Sequence, residues 1–235
     1  MKNLHLGRVL LLLASFIFLI SCCNKDLAVE NFFTKNSPVK NQSIYFVIKK
    51  DFIETAPDEL TQIAQSTGTG ASVLSTKTHS NIITAGHVCY GIISAMSNHT
   101  TYTLYDFNGR ETNAKIVGLD LESDLCLLKI QRESKPIRIS GTKLSSGDKV
   151  FYAGYPLGIY MPGSLHHFQG YYSGTDPASF SMFSLPAAPG SSGSPIVNKS
   201  GDLISVVSAV TADFDNLTIG ASLERIGPFL AEYNH

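Results

Sequence analysis

Short apolar segments recur along this chain from Ile44 onward, and Gly, Asn, Asp or Ser residues separate them. The segments are rich in β-branched and aromatic residues, which is typical of the short strands of an all-β barrel or sandwich. We therefore predict an all-β fold for the greater part of the chain. The expected strands are Ile44–Ile48, Gly70–Ser75, Asn81–Thr84, Thr101–Tyr105, Asn113–Asp120, Leu125–Ile130, Lys149–Gly154, His167–Tyr172, Phe180–Ser184, Pro195–Asn198 and Leu203–Val210.

Two segments have helical character. Asp58–Gln65 predicts a short helix within the β region, and Glu224–Tyr233 predicts a short C-terminal helix. The chain has 235 residues, of which 43% are hydrophobic and 16% are charged, which is ordinary for a globular protein. Its formal net charge of -1 gives no indication of a nucleic-acid partner.

The N-terminal segment has the composition of a secretory leader. A basic start with Lys2 and Arg8 precedes an apolar run from Val9 to Ile20. This run is shorter than the roughly 20 apolar residues that span a bilayer. We therefore predict that residues 1–21 are a signal peptide, with an uncleaved membrane anchor as the alternative.

The end of this leader, Leu19-Ile20-Ser21-Cys22, resembles the lipobox of bacterial lipoproteins. The resemblance implies cleavage before Cys22 and lipidation of that cysteine, which anchors a protein to a membrane without spanning it. We expect an exported, lipid-anchored protein of the cell envelope, either periplasmic or on the cell surface; secretion without a lipid is the alternative. Residues 22–43 are polar and predict a flexible tether, followed by one globular domain over residues 44–235.

A Gly/Ser-rich turn at Pro189–Pro195 is a candidate site for a nucleophilic serine. Glycines on either side of a serine allow the backbone to curl so that its N–H groups face a carbonyl oxygen under attack. The amides of Gly190 and Ser192 are the candidate donors of such an oxyanion hole. From the residues alone, Ser191, Ser192 and Ser194 all remain candidate nucleophiles, and an ordinary flexible loop is the alternative.

A serine nucleophile requires a base and an acid that orients the base. His87 follows the apolar strand at Ile82–Thr84 and enters a turn of small residues, which suits a general base. Asp124 precedes the strongly apolar strand Leu125–Ile130, where an unpaired carboxylate would be costly to bury. Asp120 is the alternative acid, although its position is typical of a turn residue.

Three of these segments together resemble the trypsin-like peptidases, in particular the bacterial DegP-type branch. The segments are Thr84-Ala85-Gly86-His87, Ser123-Asp124-Leu125-Cys126-Leu127-Leu128 and Gly190-Ser191-Ser192-Gly193-Ser194-Pro195. They occur in the family's order of His, Asp and Ser, and the resemblance extends over residues 68–226. It selects Ser192 as the nucleophile.

The resemblance implies two six-stranded antiparallel β-barrels with a short C-terminal helix, and a catalytic site between the barrels. His87 and Asp124 would come from the first barrel and Ser192 from the second. The implied activity is that of a serine endopeptidase that hydrolyses protein or peptide substrates through an acyl-enzyme, with no metal or organic cofactor. We expect no PDZ module after this domain, so the peptide-sensing regulation of DegP-type enzymes is not carried over.

The resemblance also indicates a specificity pocket, lined by Leu185, Pro186, Ala187 and Ser208. No acidic residue is expected at its base, so small or medium apolar substrate side chains are predicted. The segment at residues 185–189 is about two residues shorter than its DegP-type counterpart, so we expect the pocket and the oxyanion loop to depart from the family's shape.

Two cysteines outside the leader lie close to the candidate triad. Cys89 is two residues after His87, and Cys126 is two residues after Asp124. Because the resemblance makes His87 and Asp124 neighbours, it also implies a Cys89–Cys126 disulfide, as expected for an exported protein. Two buried free thiols and a zinc site with His87 are the alternatives.

Two other functions remain open on the sequence. The chain could be a catalytically inactive binding module with a protease fold, although an intact triad argues against this. It could also be a processing protease with one natural partner and no activity on general substrates.

Overall fold

The computed structural model describes residues 37–57, 59–211 and 214–233. The predicted signal peptide, Cys22 and the first part of the predicted tether lie outside these residues. The compact unit begins at Pro38, and Val39, predicted to belong to the tether, is 5% exposed and packs into the core. Residues immediately before Ile44 are therefore part of the folded domain.

The first half of the folded domain is a closed barrel of six antiparallel strands. Around the barrel the strands follow the order β1-β2-β3-β6-β5-β4. The strands are β1 (Ile44–Ala56), β2 (Glu59–Ser75), β3 (Ser80–Ala85), β4 (His99–Asp106), β5 (Glu111–Asp120) and β6 (Leu125–Ile130).

The second half is a second closed barrel of the same size. Its strands follow the order β10-β11-β12-β9-β8-β7 and are again antiparallel. The strands are β7 (Lys149–Gly154), β8 (His166–Thr175), β9 (Phe180–Ser184), β10 (Pro195–Val197), β11 (Leu203–Thr211) and β12 (Phe214–Ala221). The predicted two-barrel fold is thus confirmed.

Two helices complete the domain. A four-residue helix α1 (Gly86–Cys89) follows β3. A second helix, α2 (Leu223–Tyr233), lies where the C-terminal helix was predicted. Within the described residues, neither helix is long and apolar enough to cross a membrane.

The helix predicted at Asp58–Gln65 is wrong. Apart from Asp58, which is not described, this segment belongs to β2, which forms a long hairpin with β1. Pairs such as Lys50 with Gln65 and Phe52 with Gln62 extend the ladder well beyond the barrel. Long-range strand pairing therefore overrides the local helical preference of a polar segment.

Strand β12 has no counterpart among the predicted strands. It pairs with β11 on one side and with β9 on the other, so both of its edges are hydrogen-bonded. Leu217, Ile219 and Ala221 alternate with Thr218 and Gly220, which is a strand signal that the prediction missed. Asp215, Asn216 and Gly220 are poor strand formers and weaken that signal, and pairing on both edges stabilises the strand in the barrel.

Each barrel has an apolar interior, and a third cluster joins the two barrels and α2. Phe46 from β1 stacks on Tyr160 with ring centroids 5.2 Å apart and meets Tyr155 edge-on at 5.5 Å. Val206 of β11 and Phe229 of α2 belong to the same cluster. The barrels therefore share a core, and the residues at their junction have fixed positions.

Candidate active site

His87 reaches the junction because β3, a fully buried strand, runs directly into α1. Its ring Nδ1 lies 3.0 Å from Oδ1 and 2.9 Å from Oδ2 of Asp124. Its backbone N–H also donates to Asp124 Oδ1 at 2.8 Å. An Nδ1–H that faces the carboxylate leaves Nε2 with a free lone pair, as a general base requires.

Asp124 lies in the turn between β5 and β6 with a left-handed φ of +52°, which Asp tolerates better than most residues. Asp120 stabilises this turn, because its Oδ1 accepts the N–H groups of Glu122 at 3.0 Å and Ser123 at 3.1 Å. Arg225 of α2 donates to the Glu122 carbonyl at 3.0 Å. The alternative acid, Asp120, thus shapes the turn, whereas Asp124 meets His87.

Ser208 of β11 donates a short hydrogen bond to Asp124 Oδ2. The sequence predicted Ser208 in the pocket wall, and the contact with a carboxylate 84 residues earlier was missed. Partial burial raises the pKa of Asp124, but the hydrogen bonds from His87 and Ser208 and the attraction to His87 outweigh it. The pKa of Asp124 therefore lies below the ordinary carboxyl value.

The three serines of the Gly/Ser turn differ in burial. Ser191 and Ser194 are fully buried, whereas Ser192 is partly exposed. The Ser191 hydroxyl accepts the Ala188 N–H at 3.3 Å, so it is engaged in the turn itself. Ser192 is therefore the serine of this turn that a substrate can reach.

Backbone hydrogen bonds hold the Ser192 turn between the two barrels. The Thr69 N–H of β2 donates to the Ser192 carbonyl at 2.8 Å, and the Gly193 N–H donates to the Val207 carbonyl of β11 at 2.7 Å. A Cβ at Gly68 would lie 2.8 Å from Val88, the neighbour of His87, and 3.1 Å from the Ser192 carbonyl. Ser192 thus lies beside α1, although among the described residues no hydrogen bond joins its hydroxyl to His87.

Gly190 and Gly193 are required by the geometry of this turn. Their φ values are +92° and +86°, which side chains other than glycine rarely adopt. A Cβ at Gly193 would lie 2.0 Å from the Thr69 carbonyl oxygen, and one at Gly190 would lie 2.6 Å from the Tyr155 carbonyl oxygen. A larger residue at either position would push the turn away from β2 and β7.

The amides of Gly190 and Ser192 face away from the turn's own hydrogen bonds. The Pro189 carbonyl accepts the Leu157 N–H at 2.5 Å, and the Ser191 carbonyl accepts the Ser194 N–H at 2.9 Å. In a trans peptide the N–H points opposite to the C=O. The Gly190 N–H therefore points away from Leu157, and the Ser192 N–H points away from Ser194. Neither N–H donates to a described backbone carbonyl. Both N–H groups are thus available as hydrogen-bond donors, as the predicted oxyanion hole requires.

The predicted pocket residues lie in different environments. Leu185 is fully buried in the core of the second barrel, where its carbonyl accepts the Thr218 hydroxyl at 2.7 Å. It continues the inward alternation of Ser181 and Phe183 on β9, and this alternation predicts a core position for Leu185 and not a pocket wall. Pro186 and Ala187 are partly exposed, so these two residues remain available to line a pocket.

The structure contains the predicted Cys89–Cys126 disulfide. It joins α1 to β6 behind the His87–Asp124 pair, and both cysteines are fully buried. Because both sulfurs are bonded to each other, the alternatives of free thiols and of a zinc site with His87 are wrong. Within the described residues, no group of three or more His, Cys, Asp or Glu residues could hold a metal ion.

The sequence matches the family model of the trypsin-like peptidase domain over residues 68–206. The chain is 32% identical over 157 residues to the serine protease Do-like HtrB of Bacillus subtilis. It is 27% identical over 196 residues to the periplasmic pH-dependent serine endoprotease DegQ of Escherichia coli.

Solved structures show the same fold. The active form of the Rv3671c protease of Mycobacterium tuberculosis superposes with a TM-score of 0.63 at 20% identity, covering 82% of this chain and 81% of that chain. The serine endoprotease of Yersinia pestis superposes with a TM-score of 0.64 at 20% identity, covering 82% of this chain and 63% of that one.

The match to the curated relatives is partial in length. It covers 60% of this chain and 32% of HtrB, and 79% of this chain and 40% of DegQ. The chain thus spans about a third to two fifths of these relatives. The residues that the family model matches include His87, Asp124 and the Ser192 turn.

Proposed function

Because this chain belongs to the trypsin-like peptidase domain family, in its DegP branch, we propose that it is a serine endopeptidase with Ser192 as nucleophile, His87 as general base and Asp124 as orienting acid. The pairing of His87 Nδ1 with the Asp124 carboxylate, beside a turn that exposes Ser192, is the observation that carries this proposal. It provides a base with a fixed tautomer within the same cleft as an accessible hydroxyl.

In the first step, the Ser192 hydroxyl attacks the carbonyl carbon of the scissile peptide bond. His87 Nε2 takes the hydroxyl proton, and the ionised Asp124 stabilises the imidazolium that forms. The amides of Gly190 and Ser192 donate hydrogen bonds to the oxyanion. His87 then gives its proton to the leaving nitrogen, the C–N bond breaks, and an ester to Ser192 remains.

In the second step, water replaces the leaving amine. His87 takes a proton from the water, whose oxygen attacks the ester carbonyl, and the same two amides hold the second oxyanion. The proton returns from His87 to Ser192 as the acid product leaves. Each cycle thus consumes one water molecule, and Ser192 and His87 return to their initial protonation states.

Partial exposure of Pro186 and Ala187 supports a pocket that accepts a small or medium apolar side chain. Both side chains are uncharged, and the fixed φ of Pro186 limits the flexibility of the pocket wall. We propose that substrates are proteins or peptides with such a residue on the acyl side of the scissile bond.

We also propose that the protein is exported and anchored to a membrane through a lipid on Cys22. The leader composition, the lipobox resemblance and a disulfide typical of oxidising compartments support this location. The relatives from Escherichia coli and Haemophilus influenzae are named as periplasmic proteases, which agrees with export.

Fluorophosphonate labelling tests the nucleophile and the base together. Full-length wild-type protein in detergent should be labelled, Ser192→Ala should not, and Ser191→Ala should be labelled if its turn is intact. Casein cleavage measured on the same samples separates a general protease from a processing enzyme with one partner. A folded wild-type protein that resists the probe would indicate the inactive binding module.

Metabolic labelling with a clickable palmitate analogue tests the anchor. The wild-type chain and Cys23→Ser, its neighbouring control, should incorporate the label, whereas Cys22→Ser should not. Equal labelling of the two cysteine variants, or no labelling of the wild type, would contradict lipidation at Cys22.

A further inference from the structure

A loop after helix α1 exposes large apolar side chains. It comprises residues 90–98 and includes a short 3₁₀-helix at Ile92–Met96. Ile92, Ile93 and Met96 are 88%, 46% and 71% exposed. None of these three side chains belongs to a core cluster of the described residues. We call residues 90–98 the apolar loop.

The serines of the apolar loop face the first barrel. Ser94 is partly buried, and its hydroxyl accepts hydrogen bonds from Lys49 Nζ at 2.5 Å and from the Gly91 N–H at 3.1 Å. Ser97 is also partly buried, and its hydroxyl lies 3.1 Å from that of Thr100. Polar side chains usually face solvent and large apolar ones the core. The apolar loop has the opposite arrangement.

A buried ion pair holds the apolar loop in this arrangement. Lys49 and Asp51 of β1 are both buried, and their charged groups lie 2.9 Å apart. The Thr100 hydroxyl donates to Asp51 at 2.8 Å, and the Asn98 N–H donates to the Phe52 carbonyl at 2.9 Å. Burying a charged pair has a desolvation cost. These contacts fix the serine side of the loop on β1, so the apolar side chains stay outward.

The exposed face of the apolar loop carries no charge. Residues 90–98 contain no Lys, Arg, Asp or Glu. The two charged groups beneath the loop, Lys49 and Asp51, are paired with each other. Tyr90, at the start of the loop, is exposed, and tyrosine is common where protein meets the boundary between water and lipid. An uncharged, exposed apolar face with this border suits contact with a bilayer.

The face is too small to support a stable protein interface by itself. Such an interface buries about 800 Å² and about 20–30 residues on each partner. The apolar loop offers three large apolar side chains, Ile92, Ile93 and Met96. A bilayer sets no such threshold, because each apolar side chain that leaves water contributes in proportion to its buried area. The size of the face therefore favours lipid over a second copy of the chain.

The proposed lipid on Cys22 brings a bilayer within reach of the apolar loop. The compact unit begins at Pro38, 16 residues after Cys22, so the intervening chain spans at most about 55 Å. Lys49, which contacts the loop through Ser94, is 11 residues after Pro38 and thus at most about 40 Å from it. One bilayer can therefore hold the lipid and contact the loop at the same time.

We propose that the apolar loop docks on the bilayer that holds the lipid anchor, with Ile92 and Met96 among the headgroups and the upper acyl chains. This inference rests on the proposed lipidation of Cys22 and gives the protein a second membrane contact. Two membrane signals bind more stably than a single acyl chain.

Docking also orients the proposed active site. His87 is five residues before Ile92, so the general base lies at most about 18 Å from the docked residue. The cleft is then held close to the membrane surface. The preferred substrates are therefore polypeptide segments that lie near the bilayer.

A single tryptophan can report the position of the loop, because the chain contains none. Met96→Trp carries the probe in the apolar loop. Met161→Trp is the matched control, since Met161 is 60% exposed between β7 and β8 of the second barrel. The full-length variants are placed in phosphatidylcholine vesicles with bromine-labelled acyl chains. Bromine should quench about half of the Met96→Trp emission and little of the Met161→Trp emission, since docking buries side chains about 5–10 Å deep.

Flotation of the same vesicles reports the lipid anchor separately. Protein that floats without quenching of Met96→Trp would overturn docking and leave the anchor in place. Protein that neither floats nor is quenched would overturn both. Equal quenching of Met96→Trp and Met161→Trp would show that the domain has no preferred face toward the bilayer, and docking would again be wrong. None of these readouts requires peptidase activity.

The double variant Ile92→Ser/Met96→Ser tests the effect on substrates. For a peptide tethered to the vesicle by a short linker, kcat/KM should fall about fivefold to tenfold, because the undocked cleft is no longer held beside the peptide. For the same peptide free in solution, kcat/KM should equal that of the wild type, as should fluorophosphonate labelling of Ser192. Met161→Ser is the matched control and should behave like the wild type on both peptides.

Two results of this experiment would contradict docking. An equal loss on the free peptide would place Ile92 and Met96 in the active site. A dimer that becomes a monomer in Ile92→Ser/Met96→Ser, together with no bromine quenching of Met96→Trp, would assign the face to a second copy of the chain.

Discussion

At the scale of single residues, the two barrels meet at the Asp124 carboxylate. His87 approaches it from the first barrel, and Ser208 approaches it from the second. His87 and Asp124 could be selected as candidates from the sequence, because an apolar strand precedes His87 and another follows Asp124. Ser208 could not be assigned to Asp124, since no local pattern connects residues in different barrels.

Substitution of Ser208 tests its contact with Asp124. Ser208→Ala should lower kcat/KM about tenfold, because it removes a charge-assisted hydrogen bond that orients the acid. Ser205→Ala is a matched control on the same strand, since the Ser205 hydroxyl donates to the Ala221 carbonyl far from Asp124. It should lower stability by about 1 kcal/mol and leave kcat/KM unchanged. Equal losses of kcat/KM in both variants would contradict the role of Ser208.

The lowered pKa of Asp124 predicts a specific pH dependence of stability. Folding favours the ionised carboxylate, so its contribution is present above the unfolded pKa of about 3.9 and is lost as pH falls through the folded pKa. Asp124→Asn should lower the free energy of unfolding at pH 6, and the difference from the wild type should shrink toward pH 3. Urea denaturation at fixed pH values measures both. A difference that stays constant over this range would contradict the prediction.

At the scale of elements, strand content was predictable and hairpin length was not. β6, β7 and β9 have the predicted bounds, because their apolar residues lie between clear turn residues. β2 begins 11 residues before its predicted start, at Glu59 in place of Gly70. Its outer half is polar and takes its conformation from β1, so only the pairing partner explains it.

The disulfide between α1 and β6 is also tested at this scale. For a sequence separation of 37 residues, the chain-entropy model gives about 3–4 kcal/mol of stabilisation. Reduction of the wild type should lower Tm, whereas reductant should not change the Tm of the double variant Cys89→Ala/Cys126→Ala. The buried disulfide is reduced in unfolded protein, which is then refolded. If the Tm of this reduced wild type equals that of the untreated wild type, the protein has no disulfide.

At the scale of the whole molecule, family resemblance predicted what residue patterns alone could not. Periodicity indicated strands, whereas the arrangement in two barrels followed from three short motifs in a fixed order. The shared core of Phe46, Tyr155 and Tyr160 was not predicted, because its members are spread over more than a hundred residues. This core determines how the two barrels are oriented around the site.

Phe46→Ala should destabilise the whole domain. Removing a buried phenylalanine costs about 3–5 kcal/mol, and the shared core should transmit this loss to both barrels in one transition. Phe52→Ala is the control on the same strand, since Phe52 lies outside the three core clusters and contacts His99 at the barrel's end. Calorimetry should show a smaller loss for Phe52→Ala. Two separate transitions in Phe46→Ala would show that the barrels unfold independently.

The division of the site between the barrels also affects the protein's biosynthesis. A ribosome adds His87 and Asp124 long before Ser192 and Ser208, which belong to the last quarter of the chain. Under the proposed mechanism, an incomplete chain has a base without a nucleophile and cannot cut any protein. A protease with this order of residues cannot cleave its neighbours on the ribosome before the Ser192 turn has been synthesised.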